Sequence, residues 1–273
     1  MNDRLAPLLA HFDLHCELLH AGSSSGSQHY EAREGIGHLH LLRAGRLHWL
    51  DAQGVRHTLD RPGLLMFAGC CPHQLETEEA EMVCATVAFG AQFGNPLLRG
   101  LPSPWVLPLA ELPLLTHLIE LFFDAAFAQR CGRDAVLSRM AELIVLQLLR
   151  LGFHQGLLQV GALAGLADPR LARALTAVHE APAAAWTLER LAATAGLSRA
   201  RFAALFSEIV GSPPGDYLAG LRIGLAQRLL SRGSPLKAVA EQVGYGSANA
   251  LSRAFLQRVG QTPSQWLSAR LAS

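Results

Sequence analysis

A chain of 273 residues, 50% hydrophobic and 16% charged, holds enough apolar material for two cores, and its five cysteines at this length exclude a disulfide scaffold. The formal net charge of +1 hides an imbalance: from Asp168 onward there are 12 Lys/Arg against 6 Asp/Glu, and before it 11 against 16. A formal +6 beside a formal −5 excludes an evenly charged surface, and it expects a nucleic-acid-binding part joined to one that does not bind nucleic acid.

No run of 18 apolar residues lacks a charge, and MNDRLAPLLAHFDLH has neither the unbroken apolar stretch nor the small-residue cleavage site of a signal peptide. No membrane segment and a cytoplasmic location are therefore expected. Residues 1–108 are poor in helical periodicity and rich in short runs broken by Gly, Asp and Pro. Strands are expected at Gly37–Leu42, Arg46–Leu50, Val55–Leu59, Leu64–Phe67 and within Met82–Gly90, with turns at Ala44-Gly45, Asp51–Gly54 and Arg61–Gly63. Short strands at this spacing predict an all-β barrel or sandwich.

His40, on a strand, and Cys70, Cys71 and His73, in the loop leaving another, form a candidate site, because thiolate and imidazole together suit Zn²⁺ or another borderline metal. The spacing does not select among a pocket-lining role, a metal site and a redox-sensing thiol, and His29, His38 and His48 compete as donors. No catalytic triad, phosphate-binding glycine loop or zinc-hydrolase motif occurs, so no cofactor is dictated by the sequence.

The text turns helical at Leu112–Arg130 and again over residues 133–155, the second helix apolar almost all round (Ile144, Val145, Leu146, Leu148, Leu149). Such a helix needs burial on more than one side, which packing within the chain or self-association supplies. Residues 109–160 thus read as a helical packing or dimerisation segment and 161–167 as a linker, after which Asp168 and Pro169 are placed to start a helix.

The region 168–273 then states one pattern twice. LERLAATAGLSRARFAALFSEIVGSPP from Leu188 aligns with LKAVAEQVGYGSANALSRAFLQRVGQTP from Leu236, and Gly196, Ser198, Phe206 and Gly211 meet Gly244, Ser247, Phe255 and Gly260, with Gly246 inserted. Each copy reads as helix, glycine turn, serine cap and second helix, the pattern of a helix-turn-helix. Leu191, Phe202, Phe206, Leu251, Phe255 and Val259 point inward by their spacing. Exposed positions early on the second helices are candidate readers: Arg199 and Arg201 in the first copy, and Ser247, Ala248, Asn249, Ser252 and Arg253 in the second, since Asn suits adenine and Arg guanine. The helix Gly215–Gly233 is the natural spacer; its Arg222 is open to two readings, a phosphate contact or an internal ion-pair partner.

WTLERLAATAGLSRARFAALF, GDYLAGLRIGLAQRLL and PLKAVAEQVGYGSANALSRAFLQRVGQTPSQW resemble the DNA-binding domain of the AraC/XylS family of bacterial transcription regulators. HLLRAGRLHWL, RPGLLMFAGCCPHQL and CATVAFGAQFGNPLLRGLP resemble the small cupin barrel at the N-terminus of many of those regulators. The resemblance implies an N-terminal cupin barrel that senses a small molecule or metal, helices that dimerise it, and a C-terminal all-α domain with two helix-turn-helix units. It also implies double-stranded promoter DNA, a small-molecule effector, a second copy of the chain and RNA polymerase as partners; activation and repression stay open. The alternative is a metal-dependent cupin enzyme with a vestigial DNA-binding domain, and HLHLLRAGRLHW lacks the Glu that follows the paired histidines in such enzymes.

Overall fold

The computed structural model of the protein describes residues 3–271 apart from 12, 34, 52, 70, 91–97, 99, 129 and 159. The described residues fall into two compact units, one drawn from 14–89 and 101–151, the other from 1–13, 90–100 and 152–273. Among the described residues, no helix is long and apolar enough to cross a membrane.

After a short helix α1 (Ala6–Leu9), the first unit is built on six strands: β1 (His15–Tyr30), β2 (Ile36–Leu50), β3 (Arg56–Leu59), β4 (Gly63–Phe67), β5 (His73–Ala88) and β6 (Trp105–Pro108). They form one antiparallel sheet in the order β1-β5-β2-β4-β6, with β3 on the far end of β2. The expected barrel is therefore corrected to an open sheet: among the described residues β1 pairs with β5 and β6 with β4, and the two edge strands do not pair with each other. Closure needs a continuous ladder between the first and last strands, whereas this sheet ends on a four-residue strand. Alternation along a strand reports which face is buried and carries no information on which edges meet.

The expected turn at Ala44-Gly45 is also a different structure. β2 runs straight through it, with register shifts on either side of Ala44. Gly45 has φ +83°, and a Cβ there would collide with the Glu79 carbonyl, so the glycine serves a bulge pressed against the neighbouring strand. One core cluster joins Leu42, Leu47, Trp49, Leu65, Phe67, Leu75, Met82 and Cys84.

The same unit carries α2 (Pro113–Phe127) and α3 (Arg133–Gln155). α3 buries Leu137, Ala141, Ile144, Val145, Leu148 and Leu149 while Val136 and Leu143 stay exposed, and on α2 Leu114 is 93% and Leu121 60% exposed.

The helical unit contains α4 (Ala162–Ala167), α5 (Ala172–Glu180), α6 (Leu188–Ala195), α7 (Arg199–Val210), α8 (Pro214–Ser231), α9 (Leu236–Gln242), α10 (Ala248–Val259) and α11 (Pro263–Leu271). α5 begins at Ala172 rather than at Pro169, and the Asp168 carboxylate accepts the Arg170 backbone N–H at 2.8 Å in a turn ahead of the helix. The N-terminal segment belongs to this unit: His11 Nε2 lies 2.5 Å from the His179 carbonyl oxygen, and Arg232 donates to both Asp13 carboxylate oxygens at 2.8 and 3.0 Å.

Candidate nucleic-acid interface

Both repeats are helix-turn-helix hairpins, built by the chemistry their sequence signals. Thr187 caps α6 and Ser198 caps α7, each side-chain oxygen accepting the N–H three residues on, while Gly196 at φ +71° ends α6 in the left-handed region. In the second copy Ser247 caps α10 by accepting from Ala250 N at 3.2 Å, and Gly244 at φ +84° turns the chain after α9. The inward residues are where the spacing placed them: Leu191, Phe202, Phe206, Leu251 and Phe255 are buried, and Val259 is partly so. Each fully buried Phe contributes roughly 1.5–3 kcal/mol of transfer free energy, so these side chains hold the hairpins and are unavailable to DNA.

What remains outside differs between the copies. On α7, Arg199, Ala200, Arg201 and Ala204 are exposed; Arg199 Nη1 donates to Glu189 Oε1 at 2.6 Å, while the Arg201 side chain makes no ion pair among the described residues. On α10, Ser247, Asn249 and Arg253 are exposed, and Ala248 and Ser252 half-buried. Asn249 and Arg253 are one helical turn apart on the same face, and their side chains are without hydrogen bond or ion pair among the described residues. They match Ala200 and Ala204 of the first copy. Two unengaged polar side chains of these types on a capped helix can reach base edges without first breaking a contact.

Arg222 behaves differently. It is half-buried on α8, and its guanidinium donates through Nε to Pro182 O at 2.9 Å and through Nη2 to Ala184 O at 2.8 Å, with the Tyr245 ring 5.8 Å away. Burial lowers its pKa from the usual arginine value. These contacts are internal but are not the ion pair expected: the partners are backbone carbonyls, and among the described residues no carboxylate lies within ion-pair distance of Arg222.

In the sheet unit, His40 and His73 meet, with Nε2 to Nε2 at 3.0 Å, and His40 Nδ1 lies 3.1 Å from Cys84 Sγ, a residue that spacing in the sequence did not single out. The register shows why: His40 on β2 lies directly opposite Cys84 on β5. Cys71 contributes its carbonyl oxygen, 2.9 Å from His73 Nδ1, and Cys70 lies outside the described residues. The protons can be assigned in sequence. His73 Nδ1 faces a carbonyl and must donate; its Nε2 then accepts from His40 Nε2–H, leaving His40 Nδ1 to accept from the Cys84 thiol. The charge states agree: burial, then His73 and His38, holds His40 well below the ordinary histidine value; burial takes His73 to about 4 and pushes the Cys84 thiol up to about 12.

A metal does not fit this arrangement. The donors run in a line through both nitrogens of one imidazole, and no group of three or more His, Cys, Asp or Glu among the described residues is placed to hold an ion. The cluster is instead a neutral polar strip whose neighbour His38, only 6% exposed, has no hydrogen-bond partner for Nδ1 among the described residues.

A family profile described as a helix-turn-helix domain matches residues 191–269, and one described as a cupin matches residues 3–154, more than half of the chain. The chain is 44% identical over 140 residues to an AraC-like transcription regulator of Streptomyces antibioticus, a match covering 50% of this chain and 46% of that protein. It is 29% identical over 258 residues to the HTH-type transcriptional regulator AlkR of Acinetobacter baylyi, covering 88% of this chain and 84% of that protein. Among solved structures it is similar to the DNA-binding domain of AdpA, a global transcriptional factor in complex with a target DNA, at 33% identity and TM-score 0.36, over 38% of this chain and 95% of that one. The matches to the Streptomyces antibioticus and Streptomyces lividans relatives span 46% and 44% of those proteins, under half of their length.

Proposed function

This chain belongs to the AraC/XylS family of helix-turn-helix transcription regulators, with a cupin-type N-terminal domain, and from that premise we propose that it binds double-stranded promoter DNA sequence-specifically and regulates transcription there. The observation that carries the reading is the second recognition helix, where Asn249 and Arg253 are exposed, unengaged and one turn apart on a Ser247-capped helix. Asn249 is assigned to adenine and Arg253 to guanine in the major groove, with Ser247, Ala248 and Ser252 lining the same approach. In the first unit Arg201 makes the ready contact, and Arg199 contributes once it leaves Glu189. Residues 168–273 are the DNA-binding module, and their formal charge of +6 supplies attraction for phosphates that carries no sequence information.

Within the expected 1–108 the strands of the sheet unit are assigned to sensing, and within the expected 109–160 α2 and α3 to packing and self-association; 161–167, expected as a linker, instead carry the buried helix α4 of the helical unit. The sensing assignment draws support from the neutral strip of His40, His73 and Cys84 with the unpartnered His38 Nδ1, which suit an uncharged small molecule able to donate a hydrogen bond. Self-association draws support from the exposed Leu114, Leu121, Val136 and Leu143. The same reading expects a cytoplasmic location and RNA polymerase as a partner.

Selection of bound sequences from a random DNA library with the full chain tests the reading. An enriched site with two half-sites about one helical turn apart is the expected result; no enrichment, with or without a library of candidate effectors, refutes it.

A further inference from the structure

We propose that Arg222 and the turn Pro182–Ala184 form a brace that fixes the spacing of the two recognition helices, so that Arg222 sets which half-site separation the protein accepts without touching DNA. The proposal rests on the DNA-binding reading above, and it adds a positioning residue outside the two hairpins.

The turn Pro182–Ala184 lies between α5 and α6, directly ahead of the first hairpin. It is itself rigid: Ala184 N donates to Ala181 O at 3.1 Å, and Trp186 Nε1 donates to the same oxygen at 2.8 Å. From α8, the helix between the hairpins, Arg222 donates to the first and last carbonyls of this turn at 2.9 and 2.8 Å. The middle residue of the turn presses on the second hairpin: a Cβ at Gly244 would lie 2.6 Å from Ala183 O and 2.7 Å from its Cα, and Tyr245, the next residue, is the ring beside the Arg222 guanidinium. Three backbone residues thus touch the spacer helix on one side and the second hairpin's turn on the other. A planar fork of fixed donors suits this task, since two N–H groups reach two carbonyls of one turn at once, which an ammonium cannot do with the same geometry. α10 is tied to α8 by Arg258 and Asp216 at 2.8 Å, and α7 packs on α8 through Phe206 and Tyr217, ring centroids 5.5 Å apart; the brace adds the contact that links the turn ahead of the first hairpin to the turn of the second.

Rigid spacing has a DNA consequence. Adding or removing one base pair displaces one half-site by about 3.4 Å and rotates it by about 35°, which two helices held at one separation cannot follow. A braced pair therefore discriminates sharply among separations, and an unbraced pair does not.

Two measurements on the full chain test this. In the first, spin labels carried on keto amino acids introduced at Ala200 and Asn249 report the distance between the recognition helices without DNA and without disturbing the native cysteines. A single narrow distribution is expected with Arg222 present, a broad one in Arg222→Ala and an intermediate one in Arg222→Lys. Equal widths in all three, or a broad distribution with Arg222 intact, overturn the brace. In the second, binding is measured on the selected site and on versions with one base pair inserted or deleted between its halves. The native chain should lose on the order of tenfold for either change, and Arg222→Ala about threefold or less, with an unaltered salt dependence. Uniform weakening at every spacing with a salt slope smaller by about one means a phosphate contact and overturns the proposal. If no DNA sequence is selected the DNA-binding reading falls, while the distance measurement still decides the brace.

Discussion

Replacing Gly244 by Ala separates the cost of a backbone conformation from the cost of a close approach, because Gly260 offers a matched control. Both glycines follow a helix of the second hairpin at nearly equal φ, +84° and +78°. A Cβ at Gly260 meets nothing within 4 Å, so Gly260→Ala pays only for the left-handed conformation, about 1–2 kcal/mol. At Gly244 the same Cβ would stand 2.6, 2.7 and 2.9 Å from Ala183 O, Cα and C, and backbone atoms cannot swing aside as a side-chain tip does. Relief requires moving the turn that Arg222 holds by two hydrogen bonds, and loss of one bond from a charged donor costs roughly 1.5–3 kcal/mol. Gly244→Ala is therefore expected to destabilise by about 2.5–5 kcal/mol and Gly260→Ala by about 1–2 kcal/mol. Urea titration followed by Trp fluorescence or far-UV circular dichroism measures both, with the slope compared to confirm that the same surface is exposed on unfolding. Equal losses in the two variants would show that Ala183 does not crowd Gly244, and would refute the reasoning.

Three further outcomes are expected. Arg253→Ala should weaken binding to the selected site by about 1–3 kcal/mol and relax preference at one base pair, measured by binding to a panel of site variants; an unchanged panel removes Arg253 from the readers. Burial lowers the pKa of His179 to about 3 in the folded chain, with His11 adding to the effect, so its neutral form is favoured by folding. That contribution is whole above the ordinary histidine value of 6.5 and is lost as pH falls from there toward about 3, at up to about 1.4 kcal/mol per pH unit. Urea midpoints from pH 7 to pH 4 should fall less steeply in His179→Gln, and parallel curves would contradict the assignment. Burial pushes the Cys16 and Cys84 thiols up to about 12, whereas Cys131 is exposed, so iodoacetamide at pH 8 should label Cys131 ahead of Cys16 and Cys84; equal labelling of Cys84 in the folded chain, read by mass spectrometry, would oppose its place in the sheet interior.

The sequence alone determined the local grammar of the helical unit. Serine caps, left-handed glycines and the inward spacing of Phe202, Phe206, Leu251 and Phe255 are decided within a few residues of each other, and the repetition of that grammar in the sequence marks two hairpins. That Asn249 and Arg253 lie exposed on one face was legible for the same reason, since a helix places residues four apart on one face whatever surrounds it. Only the tertiary structure decided the rest. Arg222 looks alike in sequence whether it meets a phosphate or two carbonyls 40 and 38 residues away, and Cys84 gives no local sign of the histidine it faces across 44 residues. The sheet makes the same point in reverse: β2, β3, β4 and the second half of β5 were readable from alternation and turns, but β1, β6, the first half of β5, which begins at His73 where a loop was expected, and the open edges were not. Which strands become neighbours depends on hydrogen bonds between segments far apart in the chain, and those bonds leave no periodicity behind.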